Sequence, residues 1–564
     1  MNESCDFVII GSGAGALCAA IVMADAGKKV VVLEKEPLLG GTTATSGGVM
    51  WIPNNRYMSD AGVPDSKNQA IEYLNHAVGD APDTPGTSPL RRETYVDQSV
   101  AALEFLESQG LEFRRVPSWP DYYAVPGQSE AGRTVVSELF NLKSLDDWQD
   151  KLRPGFLPLA GYLEEAMELA YMTRTWAAKG MLLKLIGRTL GSRLTGKNYA
   201  TAGQALQGAQ LKAALNAGAD IRTEYAVKEL MFDNGKVTGV IAEHKGQPVH
   251  ITAKLGVLVA SGGFSKNQIM LDQYIPGTKT EWSGAASGDT GEMIQEAVRV
   301  GATVAQMEQR QGYPVTTPPG KPLAYMQSDL AKPHAILVDK SGQRFMGEAD
   351  SYMKLARGIL ERNETSSAIP SWMIIDSQYA KKYMLAGGML NKKRIKQWLE
   401  AGFLKTGATL AELASQCDID GQQLQASVEQ FNGFVTANKD EAFGRGDEVY
   451  HNWLGDKLNK PSATLGSITQ APFYAVPIYP GDVSTFGGIV TNEHAQVLSK
   501  ENQPIPGLYA TGVATASVMA KSSPGAGGSI GPSLTWGYVA ANHALKPQNS
   551  TSRNGQVAVE STVP

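Results

Sequence analysis

A chain of 564 residues is too long for one compact core, so two or more domains are expected. A hydrophobic content of 42%, 60 glycines and a formal charge of −5 suit a globular α/β enzyme and give no electrostatic reason to expect nucleic acid as a partner. Three scattered cysteines, Cys5, Cys18 and Cys417, exclude a disulfide framework and a cysteine-based metal site, and no metal centre is expected.

A short acidic lead runs straight into the apolar residues 7–10, which read as a buried parallel strand. No basic segment or cleavage site precedes that strand, and there is no apolar run of about 18 residues anywhere. Neither a secretion signal nor a spanning helix is therefore predicted, and a cytoplasmic protein is expected. Residues 14–26 have helix composition and 30–33 form a second buried strand, completing a βαβ unit. Its turn, Gly11-Ser12-Gly13-Ala14-Gly15-Ala16, spells G-x-G-x-x-A. Gly11 permits the tight turn, Gly13 lets the backbone approach a pyrophosphate, and Ala16 permits close packing of helix on strand. The helix start offers free N–H groups and a partial positive charge to phosphates. Glu34 ends the second strand, where its carboxylate accepts ribose hydroxyls and repels a 2′-phosphate. A dinucleotide other than NADP is expected.

Next comes Gly40-Gly41-Thr42-Thr43-Ala44-Thr45-Ser46-Gly47-Gly48, small residues and hydroxyls dense enough to wrap a large flat ligand. Residues 140–200 read as an insertion, in which 181–194 mixes leucines with Lys184, Arg188 and Arg193. Such a helix can lie on a membrane surface; the favoured alternative is a surface helix packing its leucines on the protein body. Residues 257–260 and 508–510 are further apolar strands ending at glycine turns. The nucleotide domain is therefore expected in pieces, 1–313 and 485–545. Between them 314–484, with helical stretches at 392–401 and 422–437, reads as an inserted substrate domain. The polar tail 546–564 is expected to be disordered.

The block from Gly40 to Gly48 resembles the flavin-binding segment of the fumarate reductase and 3-ketosteroid dehydrogenase flavoprotein superfamily. Gly512 and Gly525-Ala526-Gly527-Gly528-Ser529-Ile530-Gly531-Pro532 resemble its C-terminal flavin motif. The resemblance implies non-covalent FAD, held by the glycine turn, Glu34, Lys35, Gly41, Thr42, Thr43, Ser46, Gly47, Gly48, Val227, Ser261, Gly262, Gly512, Gly528, Ser529 and Ile530. Within the superfamily, Ser118-Trp119-Pro120-Asp121-Tyr122-Tyr123 resembles the WPDY segment of 3-ketosteroid Δ1-dehydrogenases. Arg344, Glu348 and Tyr352 fall on their R-Y-x-N-E-x-x-x-Y segment, and residues 521–527 on their Y-x-G-x-G segment.

That likeness runs from Phe7 to about His543. It implies a Rossmann-like FAD-binding domain, discontinuous in sequence, with an inserted α+β catalytic domain. It also implies an enzyme that makes a C1–C2 double bond in ring A of a 3-ketosteroid. Desaturation beside a ketone needs donors at the C3 oxygen, a base near C2 and a hydride acceptor near C1. By the resemblance Tyr352 is the base, Tyr122 donates to it, and the Gly527 N–H polarises the carbonyl. With no second nucleotide fingerprint, the electrons are expected to leave to a quinone or another non-nicotinamide acceptor, which favours a site near a membrane surface. One position departs from the family: Ser523 stands where a tyrosine hydroxyl would join Gly527 at the carbonyl. Three accounts stay open. Ser523, Ser522 or a water serves a tighter site, or Ser523 is itself a substitution. Otherwise the chain is a relative with another regiochemistry, such as a Δ4-dehydrogenase, with Tyr479 as a candidate donor. Two rivals also remain: an enoate or fumarate-type reductase, and a flavoprotein that binds steroid without turning it over.

Overall fold

The structure is a computed structural model that describes residues 2–79 and 85–547. The expected disordered tail lies, from 548 onward, outside the described residues.

The principal sheet runs in the order Gln496–Leu498, Pro504–Ala510, Gln247–Val259, Asn2–Ile10, Val30–Leu33, Asp220–Arg222. Its central pairs are parallel, Phe7 to Val30 on one side and Val257 to Leu508 beyond the next strand. The all-apolar character of residues 7–10 follows from this position. Phe7 and Ile9 enter one buried cluster with the helices Ala14–Asp25, Ala202–Asn216 and Ile530–Leu545. Val8 and Ile10 enter another, beneath the antiparallel pair Ala226–Asp233 and Lys236–His244. With both faces covered, alternation is lost. The first strand is longer than expected because its polar start, Asn2–Cys5, pairs with His250–Ala253 at the sheet's margin. Apolar content alone does not mark such residues as strand.

The helices Ala14–Asp25 and Ile530–Leu545 cross closely. A Cβ on Gly15 would lie 2.3 Å from the Ser533 carbonyl oxygen, and one on Gly537 would lie 2.2 Å from the Gly15 oxygen. Gly15 thus serves helix-on-helix contact, a role the motif reading does not assign to it.

A second sheet contains Ala324–Tyr325, Arg310–Thr316, Phe473–Thr485, Ser371–Ile375 and Ala335–Val338, with Lys405–Gly407 also paired to the long strand. Its pairings are antiparallel. The strand Arg310–Thr316 runs through the boundary drawn at residue 314.

The insertion carries the helix Trp176–Leu194. Ala178, Leu185 and Ser192 form its buried face. The opposite face is apolar and open: Trp176 is 84% exposed, Leu183 71%, Leu190 54% and Leu194 88%. The expectation that the leucines pack on the protein body is therefore corrected. Leu185 alone among them is buried, because the stripe that meets the body repeats every seventh residue while Leu183, Leu190 and Leu194 lie on the far side of the helix.

Candidate active site

Three parallel strands end side by side, and each is followed by one of the predicted glycine turns. Gly11 succeeds Asn2–Ile10, Ser261 and Gly262 follow Gln247–Val259, and Gly512 follows Pro504–Ala510. Ligands of open α/β sheets bind off this carboxyl edge. The turns are packed backbone to backbone: a Cβ on Gly11 would sit 2.4 Å from the Ala260 carbonyl oxygen. A Cβ on Gly13 would meet only Thr43 Oγ1, at 3.6 Å, so its surface is open to a ligand. Gly41 faces open space, whereas a Cβ on Gly48 would strike the Ala202 backbone at 2.4 Å. Thr43 Oγ1 accepts the Ala14 N–H at 3.4 Å. Thr42 accepts the Ala286 N–H, and Ser46 donates to the Thr43 carbonyl. Glu34, buried at the end of its strand, accepts Ser12 Oγ at 2.5 Å and the Glu36 N–H at 3.0 Å, and burial raises its carboxyl.

Lys35 turns to Thr290 and Glu292. Val227 is buried two residues beyond Tyr225, whose N–H binds the Glu34 carbonyl. Gly528 is buried, and Ser529 and Ile530 begin the helix Ile530–Leu545. These residues fit FAD: open glycine surface, a helix start and a carboxylate lie along one edge.

The second constellation assembles from segments distant in sequence. The Tyr122 N–H and the Tyr73 hydroxyl both donate to the Pro524 carbonyl, at 3.0 and 2.5 Å, tying the WPDY loop to residues 521–527. Asp121 fixes that loop from behind, accepting Trp51 Nε1 at 2.7 Å and Arg133 Nη1 at 2.7 Å. Burial lifts its carboxyl to about 6 against those contacts. Tyr352 opens the helix Tyr352–Thr365 and meets Tyr122 edge-on at 5.5 Å between ring centres. Its hydroxyl lies 3.2 Å from Ser523 Oγ and accepts Gln311 Nε2 at 3.2 Å. Tyr313 stacks on the Tyr352 ring at 4.0 Å, and Tyr450 lies 4.5 Å from Tyr122. Burial pushes the Tyr352 phenol up; the Ser523, Gln311 and Tyr122 donors pull it down without cancelling that rise.

Gly527 is buried with φ at 103°, and a Cβ there would lie 2.4 Å from the Trp51 nitrogen. Its carbonyl accepts the Trp51 N–H, while its own N–H has no acceptor among the described residues. Tyr479 stands apart, stacked on Trp282 at 4.7 Å. Gln311, Tyr313 and Tyr450 are the residues that motif reading missed. The alternation Gln311, Tyr313 on one strand face is their only local signal.

The match to an FAD binding domain covers residues 6–530. The 3-oxosteroid 1-dehydrogenase of Mycobacterium tuberculosis (strain ATCC 25618 / H37Rv) is 34% identical, over 95% of this chain and 98% of its own length. The structure of the 3-ketosteroid Δ1-dehydrogenase of Sterolibacterium denitrificans, in complex with 1,4-androstadiene-3,17-dione, superposes with a TM-score of 0.89 at 31% identity. It covers 96% of this chain and 99% of its own. The chain belongs to the 3-ketosteroid Δ1-dehydrogenase family.

It is accordingly an FAD-dependent oxidoreductase acting on CH–CH groups. The 4-oxocyclohexanecarboxylate 2-dehydrogenase of Sinomonas cyclohexanicum is 33% identical, over 95% of this chain and 92% of its own length. The hydrophobic cluster packed around Tyr352 includes Trp119, Tyr122, Tyr450, Leu454 and Phe486.

Proposed function

We propose that the enzyme takes a proton from C2 and a hydride from C1 of ring A in a 3-ketosteroid. The observation that carries this reading is one buried hydroxyl, that of Tyr352, which meets the neutral side chains of Ser523 and Gln311 within an aromatic cluster; the N–H of Gly527, four residues on from Ser523, has no acceptor among the described residues. The C3 ketone accepts the Gly527 N–H, which stabilises the enolate character that develops as C2 loses its proton. Tyr352, as its anion, receives that proton, and Tyr122 donates to the anion. Bound FAD supplies the acceptor for the hydride from C1, held by the residues assigned to it above. The two electrons then pass to a quinone or another non-nicotinamide acceptor.

In this reading the principal sheet is a discontinuous Rossmann-like FAD domain and the sheet of 310–485 belongs to an inserted catalytic domain. The aromatic residues packed around Tyr352 suit a flat, apolar steroid. Because the base works deprotonated and burial raises its phenol, turnover rises with pH on the alkaline side. Tyr352→Phe removes the base but leaves the ring packing. Reduction of the flavin by a 3-ketosteroid then falls by about 10²–10⁴-fold with FAD still bound. Unchanged reduction in that variant overturns the assignment.

The reading extends to a lipid surface, from which both an apolar steroid and a quinone are drawn. The open face of Trp176, Leu183, Leu190 and Leu194 is flanked by exposed Lys179, Lys184, Arg193 and Lys197. That pattern suits an anionic bilayer. Leu163, from the same insertion, packs against the aromatic cluster of Tyr352. No helix among the described residues is long and apolar enough to cross a membrane.

A further inference from the structure

The strand Arg310–Thr316 presents successive side chains to opposite faces, so Gln311 and Tyr313 share one face. That face meets Tyr352 twice. Tyr313 lies flat on the Tyr352 ring, 4.0 Å away and 9° from parallel, which fixes the plane of the phenol. Gln311 is buried and brings its amide Nε2 to 3.2 Å from the Tyr352 oxygen. A tyrosinate can only accept, so the amide must offer its N–H to the anion. Ser523 completes the arrangement. Its hydroxyl is also 3.2 Å from the phenol oxygen, and it too can only donate once Tyr352 is ionised.

We propose that Gln311 is a positioning residue for the base: with Ser523 it forms a neutral two-donor cradle that stabilises the Tyr352 anion and sets the pH at which the enzyme works. This rests on Tyr352 being the base. The substitution at 523 acquires a meaning here, since the hydroxyl that the family directs to the substrate carbonyl is turned to the base instead. The titratable groups around Tyr352 are the phenols of Tyr122 and Tyr123 from the WPDY loop, Tyr313 from the strand and Tyr450 from the helix Val449–Leu454. The charge of Asp350, two residues earlier, is held by Lys354 and His451. No lysine, arginine or histidine nitrogen is in hydrogen-bond contact with the Tyr352 hydroxyl among the described residues. Neutral donors therefore carry the stabilisation.

The direction follows from the chemistry. A donor to the anion lowers the pKa of the base, so its loss raises that pKa and moves the rising limb of the pH profile upward. Gln311→Met keeps the length of the side chain and removes the donor. The measurement is the rate of flavin reduction by a 4-ene-3-ketosteroid across pH, in holoenzyme whose FAD content is checked by absorbance. The limb is expected to move up by about one pH unit, with about a tenfold loss at neutral pH that vanishes on the alkaline plateau. Gln311→Glu is the second variant, and its carboxylate moves the limb further in the same direction. A uniform loss at every pH with the limb in place, in either variant, overturns the proposal and leaves Gln311 a packing residue. Tyr352→Phe, run alongside, separates the two ideas: a dead Tyr352→Phe with an unmoved limb in Gln311→Met rejects the cradle alone, whereas an active Tyr352→Phe rejects the base itself.

Discussion

Ser523 is fully buried, and its Oγ lies 3.2 Å from the Tyr352 hydroxyl. Counting along the motif finds a serine where the family has a tyrosine, with a hydroxyl that falls short of where the phenol's would lie. It cannot show where the hydroxyl goes instead, because Tyr352 is far away in sequence and Gln311 belongs to no motif. The structure places Ser523 Oγ against the Tyr352 hydroxyl. Ser523 is fully buried, and a Cβ on Gly528 would already come within 2.8 Å of its oxygen. Ser523→Tyr is expected to lower stability by about 1–3 kcal/mol through overpacking. Thermal unfolding of the FAD-loaded variant checks this, and an unchanged or higher midpoint shows that the pocket accommodates a phenol after all.

The helix Tyr352–Thr365 follows directly on a buried ion-pair network. The segment before it carries Arg344 and Glu348, which a motif reading marks but does not explain. Arg344 binds Glu348 at 2.8 Å and Asp440 at 2.6 Å, and Arg445 binds Glu348 at 2.8 Å. All four side chains are buried. Asp440 and Arg445 come from a distant loop, so half of this network was illegible in the motif. Burial pushes the Glu348 carboxyl up, but Arg344 and Arg445 outweigh it and hold it at about 2, below the ordinary 4.5. A depressed folded value means stability that is complete above about 4.5 and lost as pH falls toward about 2. Glu348→Gln leaves two buried guanidinium groups short of charge and is expected to cost about 3–5 kcal/mol. Unfolding followed from neutral pH into acid should show the variant weaker at neutrality and less sensitive through that window. Equal stability at neutral pH contradicts the account.

Across the whole molecule, the βαβ unit and the strand-then-glycine pattern were legible because each reflects a local requirement. An apolar run is covered on both faces, and a turn admits no Cβ. The open apolar helix face was not legible, since leucines at 181–194 pack inward or face outward according to which stripe the body contacts. Leu183→Asp combined with Leu190→Asp should abolish co-sedimentation with anionic phospholipid vesicles while leaving turnover of dissolved steroid intact. Retained sedimentation contradicts the lipid-surface reading.

The position of the new double bond in ring A can be read directly from the product. Purified holoenzyme is supplied with a 4-ene-3-ketosteroid, a saturated 3-ketosteroid and an artificial electron acceptor, and the product double bonds are located by NMR. A new C1–C2 bond is expected in both substrates. A C4–C5 bond made from the saturated substrate alone, or no product with the flavin bound, contradicts that expectation.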